Sequence, residues 1–139
     1  MKELTVKYDT PGPRYTSYPT VPHWDTPINE GQWLSHLRSA VLENPQKGSG
    51  LYVHIPFCEK LCSYCGCHKF ITKNKTVADP YVESLLKEWS LYASKLEDIF
   101  PLRVSELHFG GGTPTFLPPN AFQALLEGLY KRAVLTENA

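Results

Sequence analysis

No cysteine lies outside residues 58–67 of this 139-residue chain. A structural zinc knot usually needs a second cysteine pair, or two histidines, at a longer interval, and no second cysteine pair lies at such an interval. No apolar segment opens the sequence, so the thiols are expected to stay reduced in a cytoplasmic setting and not to form disulfides. No apolar run approaches the ~20 residues that would cross a bilayer. Neither sign of charge is in excess: Lys plus Arg number 14 and Asp plus Glu number 14. A nucleic-acid or membrane-surface partner is therefore not indicated. Internal repeats and low-complexity tracts are absent too, and the length fits one ordinary domain.

What is present is concentrated. Cys58-Glu-Lys-Leu-Cys62-Ser-Tyr-Cys65-Gly-Cys67 holds all four cysteines. The first three form a C-x-x-x-C-x-x-C run, with Tyr64 just before the third. Three thiolates at this spacing can wrap one face of a compact iron–sulfur cube and leave one iron open to a small molecule. Zinc stays open as a reading because His54 and His68 are near, and Cys62 with Cys65 alone reads as a redox or half-zinc pair. Cys67 falls outside the three-ligand pattern and is a spare ligand, a neighbour or inert.

The remainder alternates between helix and strand signals. Twelve prolines are many, and five precede residue 28, so residues 1–27 read as an extended arm. Its Tyr8, Tyr15, Tyr18 and Trp24 suggest an arm that lies on something. Thr26 or Asn29 caps a helix whose Trp33, Leu37, Ala40 and Val41 share a face, ended by Pro45. Gly48-Ser-Gly50 reads as a turn and Leu51 to Ile55 as a strand closed by Pro56. Asp79-Pro80 opens a second helix with Tyr81, Leu85, Trp89, Tyr92 and Leu96 in one stripe. Arg103 to Phe109 reads as a second strand, broken by Gly110-Gly111-Gly112. Pro118-Pro119-Asn120 starts a third helix with Phe122, Leu125, Leu126, Leu129 and Tyr130 turned inward. Parallel strands with right-handed crossovers follow, and both unusual loops then emerge at strand C-terminal ends.

The three glycines allow a backbone to pass close to a ligand and to point amides at it; the plainer reading is a strand-ending turn. A phosphate loop is excluded, because no Gly-Lys-Ser/Thr follows. By periodicity alone Tyr52 is a core aromatic. His54, His68 and His108 read as structural, satisfying backbone carbonyls. Lys60, Lys69, Lys73 and Lys75 form a mild basic patch, ordinarily a solvated face, that could also attract a polycarboxylate.

Three blocks carry a resemblance to a known family: Arg14-Tyr-Thr-Ser-Tyr-Pro-Thr20, Tyr52 through Cys67, and His108-Phe-Gly-Gly-Gly-Thr-Pro-Thr115. They resemble the radical S-adenosylmethionine (SAM) enzymes and, within these, the oxygen-independent coproporphyrinogen III oxidases. The related haem chaperone-like proteins typically lack the Arg14 block and the fourth cysteine; a chaperone of that kind, or a structural metal module, is the alternative. The resemblance implies an α/β fold made of the first strand–helix units of a partial (β/α)6 barrel. Residues 28–139 would form that part, after the arm and one helix. It implies a [4Fe–4S] cluster on Cys58, Cys62 and Cys65, and SAM beside Tyr52, Tyr64, Gly111, Gly112 and Thr113.

By the same resemblance, a 5′-deoxyadenosyl radical converts coproporphyrinogen III to protoporphyrinogen IX in haem biosynthesis, with an electron donor that the sequence does not identify. A complete barrel needs ~200 residues or more, so the chain reads as the first third of an enzyme. Such a portion is expected to lack oxidase activity by itself and to self-associate through uncovered edges.

Overall fold

A computed structural model describes residues 2–9, 23, 27–137 and 139. It divides into two compact units, Met1–Glu30 and Gly31–Ala139. In the first, α1 (Lys2–Tyr8) is a helix where the sequence reads as extended arm. The prolines that suggest an arm begin only at Pro11. Before them, Glu3 in the first turn and Lys7 in the last complement the helix dipole. The Arg14 block, Tyr15, Tyr18, Trp24 and Thr26 lie outside the described residues.

In the second unit, α2 (Glu30–Glu43) runs until Pro45 bars its continuation. No residue of α2 is fully buried. Leu34, Leu37 and Val41 are half-buried, whereas Trp33 and Ala40 of the expected inner face are exposed. Two side-chain bonds fasten this helix: Trp33 Nε1 donates to Tyr92 Oη at 3.1 Å, and Arg38 Nε to Asp98 Oδ2 at 2.7 Å.

The three-stranded sheet of the described residues is parallel. Strand β1 (Ser49–Ile55) takes in Ser49 and Gly50, which the sequence reads as turn; the turn itself sits at Gly48, with φ of 78°. Two short strands follow it, β2 (Phe57–Cys58) and β3 (Phe70–Ile71). Strand β4 (Leu102–Gly111) continues through two of the glycines expected to break it. It does so because β1 stays in register beside it, from Gly50↔Glu106 to Ile55↔Gly111. A third parallel strand, β5 (Ala133–Leu135), lies on the far side of β4, opposite Leu102–Val104. Two strands were legible in the sequence, and this third one was not.

An irregularity between Ser49 and Gly50 shifts the register by one residue at β4. Leu102 and Val104 face the core before it; Leu107 and Phe109 pack toward the core after it. Against that face lie α3 (Ala78–Lys95), burying Ala78, Val82, Trp89 and Ala93, and α4 (Pro119–Tyr130), burying Ala121, Leu125 and Leu129. Helix α3 begins one residue before the expected Asp79. It follows a 3-10 turn, Lys75–Val77, capped by the Asn74 side chain. Leu96 is buried, but as the residue that ends the helix. Tyr130 is 45% exposed and not inward, because it stands about 100° round the helix from the buried Leu129. Where β1 and β4 end, both unusual loops emerge together.

Candidate functional site

The cysteine loop is tied at its mouth. Strand β2 pairs in parallel with β3, matching Phe57 to Phe70 and Cys58 to Ile71. Phe70 N–H donates to the Pro56 carbonyl at 2.7 Å and Thr72 N–H to the Cys58 carbonyl at 2.9 Å. Within the loop, Cys65 N–H donates to the Cys62 carbonyl at 3.2 Å, a turn that sets these two cysteines side by side in the chain. All four thiols are free; Cys58 and Cys65 are half-buried, Cys62 and Cys67 exposed. Tyr64 is 81% exposed, so it presents its ring outward from the loop.

The glycine turn closes against the cysteine loop. Gly112 N–H donates to the Ile55 carbonyl at 2.8 Å, and Thr113 N–H to the Phe57 carbonyl at 2.9 Å. These two amides are therefore used by the backbone, contrary to the expectation that they point at a ligand. What Gly112 supplies is space: a Cβ there would lie 2.8 Å from Cys58 Sγ and from the carbonyl oxygens of Pro56 and Phe57. Thr113 Oγ1 donates to Cys58 Sγ at 3.4 Å. Gly111 has φ of 107°, in the region that favours glycine, and its absent side chain would meet the His54 ring at 2.8 Å.

Tyr52 is 55% exposed, on the sheet face away from the core, which corrects its reading as a core aromatic. Its ring stacks on His108, with centroids 5.6 Å apart and an interplanar angle of 15°. His54 Nε2 lies 2.9 Å from the His68 carbonyl, and its Nδ1 lies 3.1 Å from the Tyr52 hydroxyl. A carbonyl only accepts, so Nε2 carries the proton and Nδ1 accepts from Tyr52. His54 thereby ties the end of the cysteine loop to β1, a structural role like the one its residue type suggests. Tyr81 Oη donates to the His54 carbonyl at 2.6 Å. Burial, with the Glu88 charge adding, holds the Tyr81 hydroxyl above the usual tyrosine range.

Lys75, which the sequence places in a solvated basic patch, is engaged. Its ammonium lies 3.0 Å from Glu59 Oε1 and donates to the Phe116 carbonyl at 3.1 Å. The hydrogen bond from Lys75, and then its charge, hold the Glu59 carboxyl below the usual range.

The expected residues thus fall into groups. Cys58, Gly112 and Thr113 are in direct apposition. Tyr52 pairs with His108 across the sheet, its ring end lies against Gly110, and its hydroxyl reaches His54, whose ring lies against Gly111. Cys62, Tyr64 and Cys65 belong to the outer part of the loop. Among the described residues no three His, Cys, Asp or Glu side chains gather to hold a single metal ion. The donors of an iron–sulfur cube each bind a different iron. Three free thiols on one loop, with space cleared beside Cys58, suit that chemistry.

The structure is similar to that of a coproporphyrinogen III oxidase from Escherichia coli described as a radical SAM enzyme. The TM-score is 0.73 at 35% identity, covering 99% of this chain and 29% of that one. A parallel α/β sheet with a cysteine loop and a glycine turn at its strand ends therefore has the fold of that class. Among curated relatives, oxygen-independent coproporphyrinogen III oxidase from Mannheimia haemolytica is 35% identical, over 98% of this chain and 88% of that protein. The enzyme of the same name from Salmonella typhimurium is 44% identical over 82% of this chain. The Synechocystis one is 39% identical over 99% of it. The chain belongs to the oxygen-independent coproporphyrinogen III oxidase family. It spans about a quarter of the length of the Salmonella and Synechocystis relatives, 23% and 28%. No protein-family profile matches it.

Proposed function

We propose that Cys58, Cys62 and Cys65 hold a [4Fe–4S] cluster as thiolates, and that SAM lies beside it against Tyr52, Tyr64, Gly111, Gly112 and Thr113. The observation that carries this reading is the apposition of Cys58 with Gly112 and Thr113, which fixes the first thiol against the glycine turn. When bound, this pair of groups would supply one-electron radical chemistry: each of two propionates of coproporphyrinogen III would give up one hydrogen atom to the 5′-deoxyadenosyl group of SAM, then CO₂ and one electron to an acceptor, leaving the two vinyl groups of protoporphyrinogen IX.

The chain's own contributions follow from the geometry. Gly112 leaves the space beside the Cys58 thiol clear. Thr113 donates a hydrogen bond to that sulfur, which orients it against the glycine turn. His54 holds the far end of the loop through the His68 carbonyl. Tyr52, with its hydroxyl directed to His54 and one ring face on His108, offers a fixed aromatic wall at the sheet's ligand-facing surface. With Gly112 and Thr113 amides engaged, contact along the glycine turn rests on its bare Cα surface and remaining polar groups.

The sheet is read as the first strand–helix units of a partial (β/α)6 barrel, supported by the β1-β4-β5 parallel order. The 139 residues alone are not expected to turn over substrate, since they span a minor share of the Salmonella relative's length and, among the described residues, β1 has an open edge. Self-association through that edge follows from the same argument. Free thiols suit a reducing, cytoplasmic compartment. Each cysteine is replaced by serine and iron per chain measured after anaerobic reconstitution. Loss of iron is expected for Cys58, Cys62 and Cys65 and not for Cys67; loss confined to Cys67→Ser would overturn the ligand set.

A further inference from the structure

We propose that Lys75 is a positioning residue that locks the cysteine loop to the exit of the glycine turn. The proposal rests on the cluster site described under the proposed function. An ammonium has three protons and no acceptor. Lys75 directs its ammonium at three partners: Glu59 Oε1 at 3.0 Å, the Phe116 carbonyl at 3.1 Å, and the Phe116 ring, whose centroid is 3.7 Å away. Glu59 directly follows Cys58, and Phe116 closes the 3-10 turn Pro114–Phe116 that follows Thr113. One side chain therefore bridges the residue after the first thiol and the turn that carries the hydroxyl bonded to that thiol.

The lysine is presented by a rigid segment. Asn74 Oδ1 accepts from Thr76 N–H at 3.0 Å and from Thr76 Oγ1 at 2.8 Å. Asn74 N–H donates to Thr72 Oγ1 at 3.0 Å, and Thr72 N–H returns to the Cys58 carbonyl. The anchor and the thiol thus belong to one closed ring of bonds: Cys58, Thr72, Asn74, Lys75, Phe116, Thr113 and back to Cys58. A cavity of about 350 Å³ opens at this junction, lined by Glu59, Lys60, Lys75, Thr113, Thr115 and Phe116. Beside the bridge, the two loops are joined by Thr113 N–H to the Phe57 carbonyl, by the Thr113 hydroxyl to the Cys58 sulfur and by the Phe116 ring on Phe57; Lys75 is the link that reaches past Cys58 to Glu59. An exposed ion pair alone contributes little, but the carbonyl bond and the ring contact make the arrangement directional.

The test uses iron-free protein, so it does not depend on the cluster. The protein is labelled with iodoacetamide, and the rate at each cysteine is read by mass spectrometry with the exposed Cys67 as reference. Lys75→Met should raise the Cys58 rate relative to Cys67 by roughly three- to tenfold, as local opening becomes easier. Glu59→Gln keeps the Phe116 bond and should give a smaller rise; Lys75→Arg, which can still meet both loops, should restore most of the protection. In iron-loaded protein, Lys75→Met should keep its iron and sulfide but need more SAM to change the cluster's EPR signal. If Lys75→Met unfolds and all cysteines label alike, the Glu59→Gln ratio decides. An unchanged Cys58 to Cys67 ratio in the folded variants overturns the proposal. Failure of wild-type protein to take up iron would overturn the cluster reading while leaving the labelling result to judge Lys75.

Discussion

Three successive alanine substitutions at Gly110, Gly111 and Gly112 should have unequal costs, in an order set by what each new methyl meets. At Gly112 the Cβ lies 2.8 Å from Cys58 Sγ and from two backbone carbonyl oxygens. The Phe57 oxygen already accepts Thr113 N–H at 2.9 Å, so relief must part the glycine turn from β2. Overpacking against unyielding atoms costs about 2–3 kcal/mol, and weakening that hydrogen bond about 1 kcal/mol more. At Gly111 a φ of 107° strains any side chain, and the methyl meets the His54 ring at 2.8 Å. The strain is worth about 1–3 kcal/mol and displacing His54 from the His68 carbonyl about 1 kcal/mol. At Gly110 the methyl meets the outer end of Tyr52 at 2.7 Å, and that half-exposed side chain can yield by giving up its bond to His54. The cost should be about 1 kcal/mol, the worth of that hydrogen bond. Urea unfolding of the iron-free protein reads the series as midpoint shifts at constant slope. A gap of about 2 kcal/mol between Gly112→Ala and Gly110→Ala is roughly 1 M in urea. Equal midpoints for those two variants would mean that the atoms around Gly112 yield as readily as the Tyr52 ring.

Three further outcomes are expected. Leu125 is fully buried between α4 and the sheet, so Leu125→Ala should cost about 2–5 kcal/mol in the same urea titration. Tyr81→Phe keeps the ring against Phe57 at 5.1 Å but loses the bond to the His54 carbonyl, for about 1 kcal/mol at neutral pH. Folding raises the Tyr81 pKa, so its stabilisation is complete below the ordinary tyrosine value and is lost as pH rises through the folded one. The wild-type lead over Tyr81→Phe should therefore shrink above about pH 10, followed by near-UV circular dichroism. Cys67 is exposed and bonds nothing in the ring around Cys58, so Cys67→Ser should shift stability by no more than about 0.5 kcal/mol.

Much of this architecture was legible because single residues punctuate it. Pro45 ends α2, Pro56 ends β1, and the paired prolines before Asn120 set the start of α4. The cysteine spacing and the glycine run placed both loops at strand ends, where they stand. What could not be read depended on partners distant in sequence. Gly110 and Gly111 look like strand breakers alone, yet β1 beside them holds them in the ladder. The segment Ala133–Leu135 is too short to show alternation and is a strand only because β4 offers an edge. Helix α1 is a single short segment whose charges agree with a helix, but no apolar stripe marks it. Tyr52 alternates correctly, but periodicity cannot say which sheet face is covered. Lys75 resembled its neighbouring lysines until the fold brought Glu59 and Phe116 to it.

The proposed site is an iron–sulfur cluster on Cys58, Cys62 and Cys65, with SAM at its side. The most direct measurement is an iron and acid-labile sulfide assay, with a visible spectrum, on anaerobically reconstituted protein before and after adding SAM. Brown protein with about four iron and about four sulfide per chain is expected, with an EPR signal of the reduced form that changes on SAM addition. Colourless protein that takes up zinc, or iron without labile sulfide, would contradict that assignment.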